Sequence, residues 1–389
     1  MPKLIERPGI LARIESAFRS NPVVLLLGPR QCGKTTLARQ FASKHNAEYF
    51  DLESPTDWAR LAQPMITLGP LRGWAVIDEA QLKPELFPVL RVLVDREPLP
   101  ARFLLLGSAS PDLTTAVSES LAGRVALIPM SGFDLSEVGL GALRKLWWRG
   151  GFPRSFLARS DQESRQWRAD FIQTFLERDL RRFGVQVTPL ALRRLWTMLA
   201  HYHGQIWNAS EIGRSLGEAH TTVKRHLDIL CGAFVVRQLP PWFENIAKRQ
   251  VKSPKVYLRD TGLLHELLGI PSFAALEAHP KLGASWEGFV LEEVLRVTGD
   301  RDAYFWNTQG GAKLELLVFV NGQRFGFEFK YADAPAVTKS LTVAREDLQL
   351  KRVFIVYPGE KSYTLNDWAE VVAIGDLRPR LERLVRATG

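Results

Sequence analysis

Val23-Val24-Leu25-Leu26-Leu27-Gly28-Pro29-Arg30-Gln31-Cys32-Gly33-Lys34-Thr35-Thr36 is a run of five aliphatic residues that breaks into a glycine-bounded loop and closes on a lysine and two threonines. The aliphatic run reads as a buried strand and the residues after Gly33 as a helix. In that context the spacing GxxxxGK[ST] aims loop N–H groups and a helix N-terminus at one point, where aligned peptide dipoles favour an anion. Gly28 and Gly33 permit the turn. The expected phosphate contacts are Gly28, Pro29, Arg30, Gln31, Cys32, Gly33, Lys34, Thr35 and Thr36. Lys34 reaches the β- and γ-phosphates as a point charge, and the Thr35 hydroxyl ligates Mg²⁺.

Trp74-Ala75-Val76-Ile77-Asp78-Glu79 is an apolar strand ending in two carboxylates. Asp78 is expected in the Mg²⁺ shell; Glu79, one residue on and pointing elsewhere, is positioned to polarise a water as general base. Ala47–Leu52 reads as a strand before this one and Arg102–Leu106 as a strand after it. The latter runs into Gly107-Ser108, where Ser108 is either a polar sensor of the γ-phosphate or a plain strand-end turn. Arg124 is either an arginine finger for a neighbouring subunit or a surface salt bridge. The expected cofactors are therefore ATP and Mg²⁺, and the expected catalytic residues Glu79, Lys34, Arg124 and Ser108.

The chain has 389 residues, 46% of them hydrophobic and 24% charged, which is the composition of a globular protein of several domains. Its apolar runs fall far short of the roughly 20 residues of a membrane span. The start, Met1 to Pro8, lacks the apolar core of a signal peptide, so a cytoplasmic location without membrane association is expected. The only cysteines, Cys32 and Cys231, support neither a disulfide framework nor a zinc site. Cys32, inside the loop, is expected to make phosphate binding sensitive to oxidation. A formal charge of +9 favours a polyanionic partner. Basic residues gather at Arg178–Arg182, Arg193-Arg194, Lys224-Arg225, Lys248–Lys252 and Arg378–Arg386.

After Ser131 the text turns helical and rich in Trp and Arg, as in a lid. Phe171, Phe175, Leu176, Leu180 and Phe183 hold helical spacing, leaving Arg178, Asp179, Arg181 and Arg182 outward toward DNA, a neighbouring subunit or water. Asn208 and Glu211 read as a helix start and Leu216-Gly217 as its stop. The next helix, from His220 to Cys231, buries Val223, Leu227 and Leu230 and exposes Thr221, Thr222, Lys224 and Arg225. With a strand at Phe234–Val236 and the basic loop Lys248–Lys252 before Lys255–Leu258, this reads as a winged helix-turn-helix. Such a module binds DNA or docks protein; the exposed cations favour DNA. Further on, a helix over Trp286–Leu295 carries Glu287, a strand over Ala312–Val320 carries Glu315, and Asn321-Gly322 turns back into a strand ending Glu328-Phe329-Lys330. A helix acid, a strand acid and ExK are the pattern of the restriction-endonuclease fold, with Glu287, Glu315, Glu328 and Lys330 as its possible site.

Taken together, GPRQCGKTTLAR, the DLES stretch, AVIDEAQ, LLLGSAS, SLAGR, GGFPR, TTVKRHLDIL, KSPKVYLRDTGLL and WEGFVLEEVL make the chain resemble a prokaryotic family of AAA-type P-loop ATPases, over nearly its full length. That family carries a central winged helix and a C-terminal restriction-endonuclease-like domain. The resemblance implies ATP hydrolysis, homo-oligomers such as a hexameric ring, and a DNA-related role. The fold class expected is α/β, with an ATPase core at 1–130, a helical lid at 131–200, a winged helix-turn-helix at 201–260 and an α/β restriction-endonuclease-like domain at 261–389. Glu315 and Lys313 depart from the family, which commonly has Asp at the first position and an acid at the second. A longer arm shifts the carboxylate and a cation repels metal, so weak or absent cleavage is expected. The function expected is an ATPase that remodels or translocates on DNA, including branched or damaged DNA in repair or recombination. An ATP-gated DNA-binding switch or defence regulator without motor activity, and an ATP-licensed Mg²⁺-dependent nuclease, are the alternatives.

Overall fold

The computed structural model describes residues 4–108, 111–176, 188–243 and 252–386. By compactness the chain divides into two units: residues 1–133 with 151–157 and 228–235, and residues 134–150 with 158–227 and 236–389. Two short stretches, 151–157 and 228–235, join the first unit from later in the chain.

The first unit is built on a five-stranded sheet of β1 (Val23–Gly28), β2 (Glu48–Asp51), β3 (Gly73–Asp78), β4 (Ala101–Ser108) and β5 (Val125–Pro129), in the order β2-β3-β4-β1-β5 and parallel throughout. Every residue of β1 is buried, as expected of a central parallel strand covered on both faces. The core under the sheet joins Leu25, Phe50, Ile77, Phe103 and Leu105 to Phe87, Leu90 and Val94 of the helix Leu86–Val94. The register Gly28↔Ser108 sets the ends of β1 and β4 side by side. β4 also pairs with β3, so its end lies between the phosphate loop and the Asp78 strand.

Two backbones meet closely beside that loop. The Phe133 N–H donates to the Gly151 carbonyl at 2.7 Å, and a Cβ on Gly132 would lie 2.3 Å from the Gly151 carbonyl carbon. GGFPR is thus partly a packing motif: Gly151 seats the turn, and Pro153 comes within 3.7 Å of the Cβ position of Gly33.

In the second unit the helix Ala209–Leu216 begins at Asn208, whose side chain accepts from the Glu211 N–H at 3.2 Å, and ends at left-handed Gly217. The helix His220–Gly232 follows. A three-stranded antiparallel sheet orders β6 (Gln205–Ile206), β8 (Lys255–Leu258) and β7 (Val236–Leu239). Its strand β7 starts at Val236, two residues after the expected Phe234, because Phe234 takes a left-handed φ of 61° that breaks the extended chain. The basic stretch to Val251, like Arg178–Arg182, Leu180 and Phe183, lies outside the described residues.

The C-terminal sheet orders β13 (Tyr363–Thr364), β14 (Ala369–Ala373), β12 (Arg352–Tyr357), β11 (Gln323–Phe329), β10 (Lys313–Val320) and β9 (Ala303–Asn307). Asn321 and Gly322 both have positive φ, the geometry of the expected two-residue hairpin turn. The helix Leu282–Thr298 buries Trp286, and Gly288 lets the ring of His203 approach: a Cβ there would sit 2.2 Å from its Nε2.

Gly132→Ala is expected to lower stability by about 1–3 kcal/mol, since the new methyl meets fixed backbone. Gly9→Ala, where nothing lies within 4 Å, should leave the denaturant midpoint unchanged or raise it slightly. Paired denaturant titrations of the two variants check this.

Candidate functional site

The loop between β1 and the helix Lys34–His45 turns through two left-handed residues, Gln31 at φ 61° and Gly33 at φ 101°. Lys34 is buried, and its Nζ donates to the carbonyls of Gly28 and Pro29, each at 2.9 Å. The ammonium therefore sits in the mouth of the loop, where a phosphate oxygen can replace those acceptors. Thr35 and Thr36 are exposed at the helix start. Cys32 is fully buried, with Sγ 3.9 Å from the Met130 carbonyl, so the expected oxidation-sensitive thiol is covered by protein.

Asp78, at the end of β3, accepts hydrogen bonds from the hydroxyls of Thr35 and Tyr49, the latter at 2.7 Å. Burial raises its carboxyl above the usual range, and the two hydroxyls oppose the shift. Thr35 and Asp78 thus lie together as an oxygen pair that fits a Mg²⁺ ion. Glu79 takes a left-handed φ of 55°, and its N–H donates to the Asp78 carboxylate at 2.9 Å. That turn points the two neighbouring acids apart. The Glu79 carboxylate is held by Gln81 Nε2 and by Ser108 Oγ at 3.5 Å. Ser108 is therefore joined to Glu79 by a long hydrogen bond.

Arg124 lies just before β5, at the opposite end of the sheet from the loop, and donates twice to Asp95, at 2.6 and 2.9 Å. Within one chain it is a surface ion pair. Sequence reasoning passed over Arg7, which is buried at the head of the helix Pro8–Ser20. Its guanidinium donates to the carbonyls of Cys32 at 3.2 Å, Ser131 at 3.0 Å and Gly132 at 3.0 Å. It ties the phosphate loop to the strand-end segment after β5; nothing in the run Glu6-Arg7-Pro8 signals that role.

In the second unit Thr221, Lys224 and Arg225 are exposed and Thr222 half-buried on the first half of the helix His220–Gly232, while Val223 and Leu227 are buried. The four C-terminal residues converge in part. Lys313 Nζ lies 2.8 Å from Glu315, and Lys330 Nζ lies 2.7 Å from Glu328. Between Glu287 and Glu315 stands a residue the sequence did not suggest, Lys255 of β8. Its ammonium is 3.1 Å from Glu287 and hydrogen-bonded to Glu315. Tyr257, two residues on and hence on the same side of the strand, donates to Glu287 at 2.5 Å.

Burial raises the Glu287 carboxyl to about 7, with Lys255 opposing and Glu315 reinforcing. Burial would also raise Glu315, but Lys255 and Lys313 hold it well below the carboxylate range. Burial and Glu315 raise Glu328, with Lys330 opposing. An ammonium thus neutralises the cluster from within. Among the described residues no group of three or more His, Cys, Asp or Glu is arranged to hold a metal ion.

Two further acids near this cluster hold the fold together. Glu292, in WEGFVLEEVL, accepts from Arg237 at 2.5 and 3.2 Å and from Arg259 at 3.3 Å; burial would raise it, yet the two arginines hold it at about 2. Asp260 caps the helix Thr261–Leu267 by accepting from the Leu263 N–H at 2.9 Å.

Comparison with known proteins agrees with the P-loop ATPase-like parallel sheet of the first unit. Residues 20–139 match the model of the AAA domain family, residues 140–274 a domain of unknown function (DUF8612) and residues 282–377 a second one (DUF4143). The uncharacterized proteins Rv2008c of Mycobacterium tuberculosis and Mb2031c of Mycobacterium bovis are each 55% identical over 371 residues, 95% of this chain and 84% of theirs. The chain belongs to their family, one of AAA-domain P-loop ATPases. In fold it is similar to the Walker-type ATPase PABY2304 of Pyrococcus abyssi, 15% identical, with a TM-score of 0.50 over 68% of this chain and 96% of that one. No helix among the described residues is long and apolar enough to cross a membrane.

Lys255→Met is expected to destabilise the protein by about 3–5 kcal/mol at pH 8, since it strands buried carboxylates. With the ammonium gone, the carboxyls titrate higher in the folded than in the unfolded state. Stability should therefore be recovered as the pH falls toward 5 and lost as it rises, a slope that denaturant midpoints of variant and wild type will compare.

Proposed function

We propose that this protein hydrolyses ATP and binds DNA, and uses the nucleotide cycle to remodel or move along it. The observation that carries the ATPase half is the convergence of Lys34, Thr35, Asp78, Glu79 and Ser108 at the ends of three adjacent strands. In this reading Lys34 leaves the carbonyls of Gly28 and Pro29 for the β- and γ-phosphates. Thr35 and Asp78 would hold Mg²⁺, which would supply neutralisation of phosphate charge. Glu79 takes the proton of the attacking water, and Ser108, bonded to Glu79, reports the γ-phosphate to it.

The DNA half rests on the exposed Thr221, Lys224 and Arg225. They sit on the first half of the second helix of a helix-turn-helix, where recognition helices meet phosphates and base edges. The adjoining sheet β6-β8-β7 supports a winged form of that module, with the lid before it, and the overall charge suits a polyanion. A homo-oligomer, such as a hexameric ring, would let Arg124 leave Asp95 to reach a neighbour's γ-phosphate: it lies too far along the sheet to serve its own. The C-terminal unit fits a restriction-endonuclease-like fold in which Lys255 stands in place of metal, which weighs against the nuclease reading.

Lys34→Ala should abolish nucleotide binding. Glu79→Gln should bind ATP yet turn over about 10²- to 10⁴-fold more slowly; turnover at the wild-type rate would remove Glu79 as the base. Replacing Lys224 and Arg225 by Ala should weaken DNA binding and lower its salt slope by about one to two, with DNA-free ATPase retained. Unchanged affinity and slope would make the module a protein dock. ATPase rates on duplex, single-stranded, forked and four-way DNA, read beside strand displacement, separate a motor from an ATP-gated switch.

A further inference from the structure

At the far end of the C-terminal sheet from the carboxylate cluster, a cavity of about 420 Å³ opens between the start of β11 and the helix Ile374–Arg386. Phe325, on its wall, is five residues before Lys330, or roughly 17 Å along an extended strand. Lys351, Arg352, Arg380 and Arg383 line it against a single acid, Glu370. Four cations around one carboxylate repel one another unless an anion joins them.

The one acid is already engaged. Glu370 is buried, paired with Arg380 through one oxygen and 3.5 Å from Arg352 through the other, Oε2. Among the described residues that Oε2 has no hydrogen-bond partner, and neither has the buried Nε of Arg380. Among the described residues Lys351 donates to the neutral Gln323 side chain, at 2.7 Å, and Arg383 Nε to a backbone carbonyl, at 3.2 Å, with no carboxylate paired to either. Their charges are left for a ligand. Phe325 and Phe354, stacked with centroids 6.3 Å apart, give the cavity a flat apolar wall.

We propose that this cavity binds a nucleoside phosphate, at a site separate from the phosphate loop. Its phosphate meets Lys351, Arg383 and Arg352, guanidinium forks being matched to phosphate oxygens. A hydroxyl or amino group of the sugar or base donates to Oε2 of Glu370, which faces Arg352 but accepts no hydrogen bond among the described residues. The volume suits a single nucleotide, not a duplex. That nucleotide is either free or the phosphorylated end of a nucleic-acid strand. The inference does not depend on the DNA reading of the helix-turn-helix.

The test uses full-length Lys34→Ala protein, which silences the phosphate loop, with and without Lys351→Glu and Arg383→Glu. Both of these side chains are exposed, so the fold should survive. AMP is titrated calorimetrically, and labelled single strands ending in 5′-phosphate or 5′-hydroxyl are compared by fluorescence anisotropy. Loss of charge-assisted contacts should weaken AMP binding in the reversed variant by about tenfold to a hundredfold. Tighter binding of the 5′-phosphorylated strand, displaced by AMP, identifies a strand end; AMP binding without preference between strands identifies a free nucleotide. No AMP binding, or binding unchanged by the two reversals, overturns the proposal; the latter result would trace the affinity to a surface other than this cavity.

Discussion

Everything in the nucleotide site depends on β4 lying between β1 and β3 in a parallel sheet. Parallel strands end on the same edge, so the loop after β1, the acids after β3 and Ser108 at the end of β4 are brought to one place by backbone pairing alone. The register Gly28↔Ser108 then leaves the serine within reach of Glu79. Local geometry does the rest. A left-handed residue after Asp78 turns Glu79 aside, so that two adjacent carboxylates serve different neighbours. The loop itself is held from behind by Arg7, whose three backbone acceptors bridge it to the segment after β5.

The second unit solves the problem of buried charge in another way. Glu292 is matched by two arginines, and the cluster of Glu287, Glu315 and Glu328 by three lysines, of which Lys255 comes from the small antiparallel sheet. A buried carboxylate left alone would protonate, and one paired with an ammonium stays ionised. The cluster therefore keeps its geometry with protein cations among its carboxylates. The basic cavity near Glu370 has the opposite imbalance, with cations in excess, and it lies on a different stretch of the same sheet.

The nucleotide site was legible in the sequence because its chemistry is local: Gly28, Gly33, Lys34 and Thr35 share one turn, and Asp78 and Glu79 are adjacent. The helix start at Asn208, the stop at Gly217 and the hairpin at Asn321-Gly322 were legible for the same reason, since caps and tight turns are written within four residues. Burial of Trp147, Trp148 and Trp196 follows from their size and apolar surface. By contrast, the return of residues 151–157 and 228–235 to the first unit has no local signal, because no short-range pattern encodes contacts across a hundred residues.

By itself the sequence determined the phosphate loop, the acid pair and the alternation that sets Lys313 beside Glu315, each governed by the fixed periods of strand and helix. Only the tertiary structure decided that Lys255 stands between Glu287 and Glu315, 32 and 60 residues away, that Arg7 clamps the loop, and that Arg124 pairs with Asp95. A lysine or arginine can reach many partners along its flexible arm. Which carboxylate or carbonyl it meets is settled by packing, where the cost of leaving a buried charge unpaired outweighs any local preference.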